Sequence, residues 1–291
     1  MTSRPFEWQL TAALPVLHRP DGGLQLGLEA PAGLVLASPP AAASRVLEAL
    51  CRPCTSERLE QIAGSSSGRW LPGLLAALVD AGLLAEPAPA LRPITVLGTG
   101  RLTELVTRLL LDAVPAPIRV LGLGAPGVPT RAIERLRRRH PDRLSFAAAS
   151  DTHDQKGLVL CCAASMEADR VLLSELGGRP QLVVSGSDLG VGVGPFIVPG
   201  RTPCLHCEDL HRTQRDPAWP ELLAQLCRQR PAPVRAAELH WAASTAVLHA
   251  RSWLAGRLPD SVAATLILDA DGSLRVRRLR AHPGCGCGAA R

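Results

Sequence analysis

Four of the nine cysteines stand in two close pairs whose spacing suits a metal ion. Cys204 and Cys207 have the C-x-x-C spacing of tetrahedral zinc sites, and Cys285 and Cys287 add a C-x-C pair near the end of the chain. Four thiolates close the coordination sphere, so the set predicts a structural zinc that pins the C-terminus. The alternative is four isolated thiols, since C-x-C is the less usual spacing. The histidines that offer spare donor atoms are His206, His211 and His282.

The remaining cysteines are better explained by packing than by chemistry. Cys51 and Cys54 form another C-x-x-C, but no second pair lies near them, and no βαβ pattern surrounds them as a thioredoxin-like motif requires. We interpret them as half-buried thiols at a helix terminus. Cys161 and Cys162 lie in an apolar strand and are predicted to pack in a core. Cys227 is interpreted as a loop thiol without a role.

A second kind of chemistry is indicated by Gly98 and Gly100, which follow a predicted strand and precede a predicted helix. Glycines in that context are typical of loops that bind nucleotide phosphates. The third glycine of the fingerprint is replaced by Thr103, and the next strand ends at Gly122 and Gly124 without an acidic residue to hold a ribose. We therefore expect a Rossmann-type turn whose nucleotide site, at Gly98 and Gly100, is degenerate.

The composition predicts a two-domain protein with a substantial core. The 291 residues are 46% hydrophobic and 20% charged, which excludes a disordered chain. No run approaches the roughly 20 apolar residues of a membrane span, and the first residues lack a signal-peptide pattern. An odd number of cysteines without an export signal argues against a disulfide framework. We expect a cytoplasmic protein that is not embedded in a membrane.

The charge is distributed unevenly along the chain. Residues 1–90 contain 6 basic and 8 acidic side chains, a balance of −2, whereas residues 91–291 contain 26 and 18, a balance of +8. Lys156 is the one lysine, which excludes mechanisms that need two. Three Phe and no Tyr are available for base stacking, which disfavours nucleic-acid binding. We interpret the basic segments 135–140 and 275–280 as solvated faces, with docking of a partner as the alternative.

Three prolines, Pro87, Pro89 and Pro93, predict a linker between two differently patterned regions. In residues 1–88, three short strands precede three helices, which predicts a small winged-helix-like α+β domain. In residues 92–291, strands alternate with helices, which predicts a mostly parallel sheet with helices on both faces. A long helix near 236–254 and a hairpin around residues 271–272 complete the second domain.

Several segments of the second region resemble a known family. They are ITVLGTG, GLVLCCAAS and VSGSDLGVGVGPFIVPGRTPCLHC, which are similar to the ThiF-type adenylating domain related to ubiquitin-activating enzymes. The stretch CLHCEDLHRTQRDPAWP and the terminal HPGCGC resemble one branch more specifically. That branch comprises cyclodehydratase-associated proteins, partners of YcaO enzymes, that bind the leader peptides of thiazole/oxazole-modified precursors, including bacteriocins. The order and size of the first domain fit the PqqD-like peptide-recognition element of this branch.

The resemblance also identifies where the chain departs from active adenylating enzymes. Those enzymes hold a ribose with an acidic residue, phosphates with an Arg and a Lys, and magnesium with the Asp of a Thr-Asp-Asn context. Alignment puts Ala164 at the magnesium position, while Lys156 precedes the fourth strand and Arg131 is the nearest basic substitute. Without these groups the charge of a triphosphate is not neutralised. The resemblance thus implies a ThiF-like domain that keeps its fold and has lost ATP as a cofactor.

The function implied is capture of a precursor leader peptide and its delivery to a separate YcaO-type cyclodehydratase that forms azolines. An exposed strand edge can accept an extended peptide, and we assign that edge to Leu34, Val35 and Leu36; the alternative is that they only pack in the core. Dimers are common in such folds, so a homodimer stays open. The rival function is an active adenylyltransferase acting on a ubiquitin-like or sulfur-carrier protein. A DNA-binding winged helix is disfavoured by the negative balance of residues 1–90.

Overall fold

The computed structural model divides the chain into two compact units, Met1–Pro89 and Ala90–Arg291. The residues that the structure describes are 7–10, 14–28, 33–84, 92–122, 130–146, 157–163, 165–186, 190–229 and 234–289. Among the helices in these ranges, none has both the length and the apolar character needed to cross a bilayer.

The N-terminal unit consists of short strands and three helices. In chain order these are β1 (Glu7–Trp8), β2 (Val16–His18), β3 (Leu24–Leu26), β4 (Leu34–Leu36), α1 (Ala43–Ala49), β5 (Cys54–Thr55), α2 (Ser56–Ala63) and α3 (Ser67–Asp80). An antiparallel sheet runs β2-β3-β4, and β1 pairs with β5. The sequence predicts the three-stranded sheet and the helices, but not the β1–β5 pair, whose two-residue strands carry too little pattern to be detected.

Local signals explain the element boundaries of this unit. The β2–β3 turn places Gly22 at a φ of 81°, and the Asp21 carboxylate accepts a hydrogen bond from the backbone of Gly23 (3.0 Å). Thr55 caps α2 as predicted, because its hydroxyl accepts the N–H of Arg58 (3.2 Å). These signals set the β2–β3 turn and the start of α2 where the sequence predicts them. All three helices contribute leucines to the core of the unit.

The C-terminal unit is an α/β structure built around one large sheet. Its elements are β6 (Ile94–Leu97), α4 (Arg101–Ala113), β7 (Ile118–Leu121), α5 (Arg131–Arg139), β8 (Leu144–Phe146), β9 (Leu158–Cys162), α6 (Arg170–Glu175), β10 (Gln181–Gly186), β11 (Gly190–Ile197), α7 (Leu205–Arg215), α8 (Trp219–Leu226), α9 (Ala236–Leu254), β12 (Ala264–Asp269) and β13 (Leu274–Arg278). The strand order is β13-β12-β11-β10-β9-β6-β7-β8. The five neighbouring strands β10, β9, β6, β7 and β8 are parallel, and β11, β12 and β13 are antiparallel additions.

Both faces of the sheet are covered by helices, which confirms the predicted layered α/β architecture. Alternate residues of the parallel strands contribute to two separate apolar clusters. One cluster contains Ile94, Val96 and side chains of α4, α5 and α9. The other contains Leu97 and side chains of α6 and α7. The long helix and the β12–β13 hairpin also occur where the sequence predicts them.

The local sequence pattern does not predict β11, α7 or α8. In β11 the reason is its glycines, which have low strand propensity. A Cβ on Gly190 would lie 2.0 Å from the carbonyl oxygen of Leu268, and a Cβ on Gly194 would lie 2.1 Å from that of Ala264. The glycines are therefore required by the close approach of β12, a tertiary contact that the local pattern does not contain.

Candidate metal centre and peptide-binding strand

The four paired cysteines converge in the C-terminal unit. Cys204 is the N-cap residue of α7, and Cys207 lies in the first turn of the same helix. Cys285 and Cys287 arrive from the segment after β13. One ligand atom from each residue can be chosen so that all four lie within 4.8 Å of one another. The C-x-x-C motif thus supplies two sulfurs from one helical turn, and the end of the chain supplies the other two.

The distances between the sulfurs suit a tetrahedral ion. With Zn–S bonds of about 2.3 Å, ideal tetrahedral geometry requires sulfurs about 3.8 Å apart. The Sγ–Sγ distances are 3.9 Å for Cys204–Cys207, 3.7 Å for Cys204–Cys285 and 3.5 Å for Cys207–Cys287. The cluster can therefore hold a metal such as zinc, and with four protein ligands it leaves no open coordination position for catalysis.

The backbone around Cys285 is arranged by hydrogen bonds to His282. The N–H of Cys285 donates to the carbonyl oxygen of His282 (3.0 Å), and the N–H of Gly284 donates to its Nδ1 (3.0 Å). Gly288 has a φ of 83°, and a Cβ there would touch the Cα of Gly200 at 3.5 Å. The glycines between and beyond the cysteines thus let the tail turn tightly against the segment before α7.

The electrostatics of the cluster favour a cation. Burial raises the pKa of Cys204, and the neighbouring Cys207 and Cys287 raise it further when they are charged. The pKa of Cys287 is lowered although burial opposes this, because the N–H of Ala289 and the surrounding thiols stabilise its thiolate. Several thiolates this close repel each other unless a divalent ion lies between them.

The three spare histidines lie outside this ligand group. His206 is exposed, and among the described residues the group of side chains close enough to share an ion comprises the four cysteines alone. His211 and His282 instead contact each other edge to face, with ring centroids 4.7 Å apart. Four sulfurs suffice for the site, and His211 packs against His282 of the tail.

A polar network that the sequence pattern does not reveal fixes the helices around the cluster. Asp209 on α7 is buried and accepts hydrogen bonds from Arg170 Nε (2.8 Å) and from Trp219 Nε1 (3.1 Å). Arg170 begins α6 and Trp219 begins α8, so one carboxylate joins three helices. Asp209 and Trp219 both lie in the stretch CLHCEDLHRTQRDPAWP, but their contact with each other and with Arg170 is visible only in the structure.

The loop with Gly98 and Gly100 is shaped by packing. Gly98 has a φ of 130°, and a Cβ there would lie 2.2 Å from the carbonyl oxygen of Cys162 in β9. Gly100 is the exposed N-cap of α4, and a Cβ there would have nothing within 4 Å. Thr103, at the third-glycine position, is fully buried. Gly98 is thus required for the contact between loop and strand, whether or not a nucleotide binds.

Three residues that the family resemblance singles out have different outcomes. Arg131 is exposed at the start of α5. Ala164, at the magnesium position, and Lys156 lie outside the described residues. The loss of the magnesium carboxylate therefore stays a prediction from the sequence.

The strand β4 forms one edge of the N-terminal sheet. Among the described residues it pairs with β3 alone. Leu34 and Leu36 are half-buried and pack against the core of the unit, whereas the side chain of Val35 is 49% exposed. The alternative interpretation of the sequence, that all three residues only fill the core, thus fits Leu34 and Leu36 better than Val35.

The direction of the backbone groups of Val35 follows from the strand register. Gly27 donates its N–H to the carbonyl oxygen of Pro15, and Leu17 lies opposite Gln25 two residues further along. Hydrogen-bonded pairs alternate in an antiparallel ladder, so Gln25 directs its N–H and C=O towards β2. Val35 also lies opposite Gln25, on the other side. Its own N–H and C=O therefore point away from β3, towards the open edge.

Of the other cysteines, Cys51, Cys161 and Cys162 lie where the sequence predicts, but Cys54 is not a half-buried thiol at a helix terminus, because it lies in the strand β5. The thiol of Cys51 donates to the carbonyl oxygen of Leu47 in the preceding helical turn (3.6 Å), and Cys54 is buried in β5. Cys161 and Cys162 are fully buried in β9, and burial raises the pKa of Cys161 to about 12. Cys161 and Cys162 are therefore unreactive core residues, whereas Cys51 is only half-buried.

The fold can now be compared with known structures. No protein-family model and no curated protein sequence matches the chain. The solved structure of Escherichia coli MccB with AMPCPP and MccA is 11% identical, with a TM-score of 0.54 over 97% of this chain and 99% of that one. The chain has a ThiF-like fold. At this identity the similarity establishes the fold alone, and it confirms the architecture that the sequence predicts.

Two further structures share the fold. The microcin C7 biosynthetic enzyme MccB in complex with N-formylated MccA is 12% identical, with a TM-score of 0.54 over 97% of this chain and 99% of that one. A heterocyclase in complex with substrate and cofactor is 18% identical, with a TM-score of 0.55. That similarity covers 98% of this chain and 40% of the heterocyclase.

Proposed function

We propose that the protein binds the leader of a ribosomal precursor peptide in the cytoplasm and delivers it to a separate YcaO-type cyclodehydratase. The observation that carries this proposal is the edge of β4, where the N–H and C=O of Val35 point away from β3 and no described strand pairs with them. An extended peptide pairs with such an edge through backbone hydrogen bonds, and the half-buried Leu34 and Leu36 beside it offer apolar surface for selectivity.

The structural similarities support a role in peptide modification. MccB was solved with MccA, and the heterocyclase was solved with its substrate. The similarity covers 40% of that heterocyclase. In our proposal the N-terminal unit is the recognition domain, and the ThiF-like unit is a scaffold that has no adenylation activity of its own.

We further propose that the four clustered cysteines hold zinc with a structural role. Bound zinc would join the tail that contains Cys285 and Cys287 to the start of α7. The Asp209 network then connects α7 to α6 and α8. The ion would therefore stabilise the scaffold without taking part in chemistry.

The test first searches the genes beside this one for a YcaO gene and a short open reading frame rich in Cys, Ser and Thr. It then measures binding of the fluorescein-labelled leader segment of that reading frame. Val35→Pro removes the outward N–H of β4 and leaves the ladder to β3 intact. His18→Pro is the matched control, because His18 alternates with Leu17 and directs its N–H to the opposite sheet edge. We expect roughly tenfold weaker binding for Val35→Pro and no change for His18→Pro. Equal effects, with both variants folded, would contradict the proposal.

The second candidate is an active adenylyltransferase, and one observation favours it. The loop of Gly98 and Gly100 joins β6 to the N-terminus of α4, and MccB, which shares this fold, was solved with AMPCPP. Pyrophosphate exchange with ATP in the presence of a leader peptide or a carrier protein separates the candidates. We expect no exchange above the protein-free rate; exchange that depends on the peptide or carrier would establish adenylation.

A further inference from the structure

A groove in the C-terminal unit contains four arginines that the proposed function does not use. It lies between α4, α5 and the start of α9 and encloses about 380 Å³. Arg101 and Arg108 come from α4, and Arg135 and Arg139 come from α5. With Glu104 as the one acidic side chain lining it, the groove has a charge of +3 when His is neutral (4 − 1).

The charges of this arginine groove are uncompensated. None of its four guanidinium groups has an ion-pair or hydrogen-bond partner within the part of the chain that the structure describes, and all four arginines are exposed. The two other arginines of segment 135–140 on α5 do have an acidic partner. Arg137 and Arg138 both pair with Glu134, at 3.0 and 3.7 Å. The basic segment 135–140 is therefore not a uniform solvated face, because half of its arginines have acidic partners and the groove-facing pair has none.

The spacing of the arginines favours an elongated ligand. Arg101 and Arg108 are seven residues apart on one helix, so two turns, about 10.5 Å, separate them along the groove. Arg135 and Arg139 are one turn apart, about 6 Å. Four charges spread along two helices do not converge on one phosphate group. They match carboxylates that repeat every one or two turns on another helix.

Beside its charged side chains, the groove also has leucines in its lining. Leu105, Leu136 and Leu239, one from each helix, contribute to it, and Leu105 and Leu136 also pack against the main core. A ligand that complements both features has an apolar stripe flanked by acidic side chains. An extended nucleic acid would meet the charges but not the leucines, and no Trp, Tyr or Phe is among the described residues that line the groove, so none is available there for base stacking.

We infer that the arginine groove is a docking site for an acidic amphipathic helix of a partner protein. The apolar stripe of that helix lies on the leucines, and its Asp and Glu side chains pair with the arginines on both sides. This surface does not depend on leader binding, because all its residues belong to the ThiF-like unit and none belongs to β4.

The test uses fluorescence anisotropy with the full-length chain. The probe is a synthetic helix of about 18 residues with one leucine stripe flanked by glutamates, and its comparison is a scrambled peptide of the same composition. Arg135→Glu places a negative charge in the groove. Arg138→Glu is the matched control: it makes the same charge change on the same helix, at a side chain that is 74% exposed and outside the groove.

We expect the amphipathic probe to bind at low salt, Arg135→Glu to weaken it about tenfold or more, and Arg138→Glu to weaken it less than twofold. Equal weakening by both variants would show a non-specific charge effect and overturn the proposal. So would equal binding of the scrambled peptide, or absence of probe binding. Inorganic phosphate or a single-stranded oligonucleotide that displaces the probe at equal charge concentration would assign the groove to phosphate ligands instead.

Discussion

Cys51 and Cys54 have the same spacing as Cys204 and Cys207, but the surroundings of the two motifs differ. In the N-terminal unit, one sulfur bonds back to its own helix and the other is buried in a two-residue strand. In the C-terminal unit, both sulfurs begin one helix and meet a second pair from the end of the chain. The N-terminal pair lies between α1 and α2, with no second thiol pair in its ligand sphere among the described residues.

This difference shows that a C-x-x-C spacing does not by itself make a zinc site. The decisive factor is whether the fold returns two more donors to the same point. In the C-terminal unit the β12–β13 hairpin and the tail after it do this, and the Asp209 network holds the receiving helix. The predictions that follow test this distinction, in order of decreasing effect.

The largest effect is expected for Cys207→Ser. The buried thiol of Cys207 contacts two other ligands of the cluster, so its loss would release the ion and free the tail. We expect about one zinc per chain in the native protein, little in the variant, and a fall in melting temperature of roughly 10 °C or more. Elemental analysis by mass spectrometry and thermal unfolding measure the two quantities. Full zinc content in the variant would contradict the four-cysteine site.

The second effect is expected for Gly98→Ala, because Gly98 packs against the backbone carbonyl of Cys162 and not against its sulfur. Gly98→Ala would place a Cβ 2.2 Å from the carbonyl oxygen of Cys162, so loop and strand must separate. We expect a loss of about 2–4 kcal/mol in the free energy of unfolding. Gly100→Ala, in the same loop, meets nothing within 4 Å and carries only the backbone cost of its φ of 86° and ψ of −168°, about 1–3 kcal/mol, so its loss is expected to be the smaller of the two. Denaturant titration of both variants checks the difference.

The third prediction separates the cysteines by reactivity. At pH 8, iodoacetamide reacts with thiolates, and a thiol whose pKa is raised to about 12, such as Cys161, has almost none. We expect Cys51 to react in the native protein, the four clustered cysteines to react only after a chelator removes the ion, and Cys161 to react only after unfolding. Peptide mapping by mass spectrometry gives the order. Labelling of Cys204 before chelation, at the rate of Cys51, would remove the distinction between the motifs.

The smallest effect is expected for Cys51→Ser. The serine hydroxyl can donate to the carbonyl oxygen of Leu47 as the thiol does, and the side chain is only half-buried. We expect unchanged zinc content and a change in stability within about 0.5 kcal/mol. A loss of zinc in this variant would show that the N-terminal motif supplies a ligand, and the comparison would fail.

Much of the architecture was predictable from local pattern. The alternation of apolar strands and amphipathic helices gives the layered α/β unit, and the Asp21-Gly22 turn and the Thr55 cap give elements of the N-terminal unit. The β1–β5 pair, β11, α7 and α8 were not predicted. In β11 the propensity of glycine opposes a strand, and only the close approach of β12 explains its presence.

The candidate sites likewise have features that the sequence predicts and features that only the structure shows. Residue type and spacing were enough to select the four cysteines, because thiols in pairs have few common uses, whereas the peptide-binding edge at Leu34–Leu36 stays a prediction. The outward direction of Val35 depends on which pairs of the hairpin are hydrogen-bonded. The presence of acidic partners for Arg137 and Arg138, but not for Arg135 and Arg139, depends on which helix face meets α4.

The sequence by itself determined which side chains could bind a metal, cap a helix or fill a core, because those properties belong to residue types and their local spacing. The tertiary structure decided which of them meet. Two cysteine pairs at a distance along the chain become four sulfurs within 4.8 Å because the sheet order returns the tail to α7. Strand order and helix packing arise from contacts between remote segments, and short-range sequence pattern does not contain them.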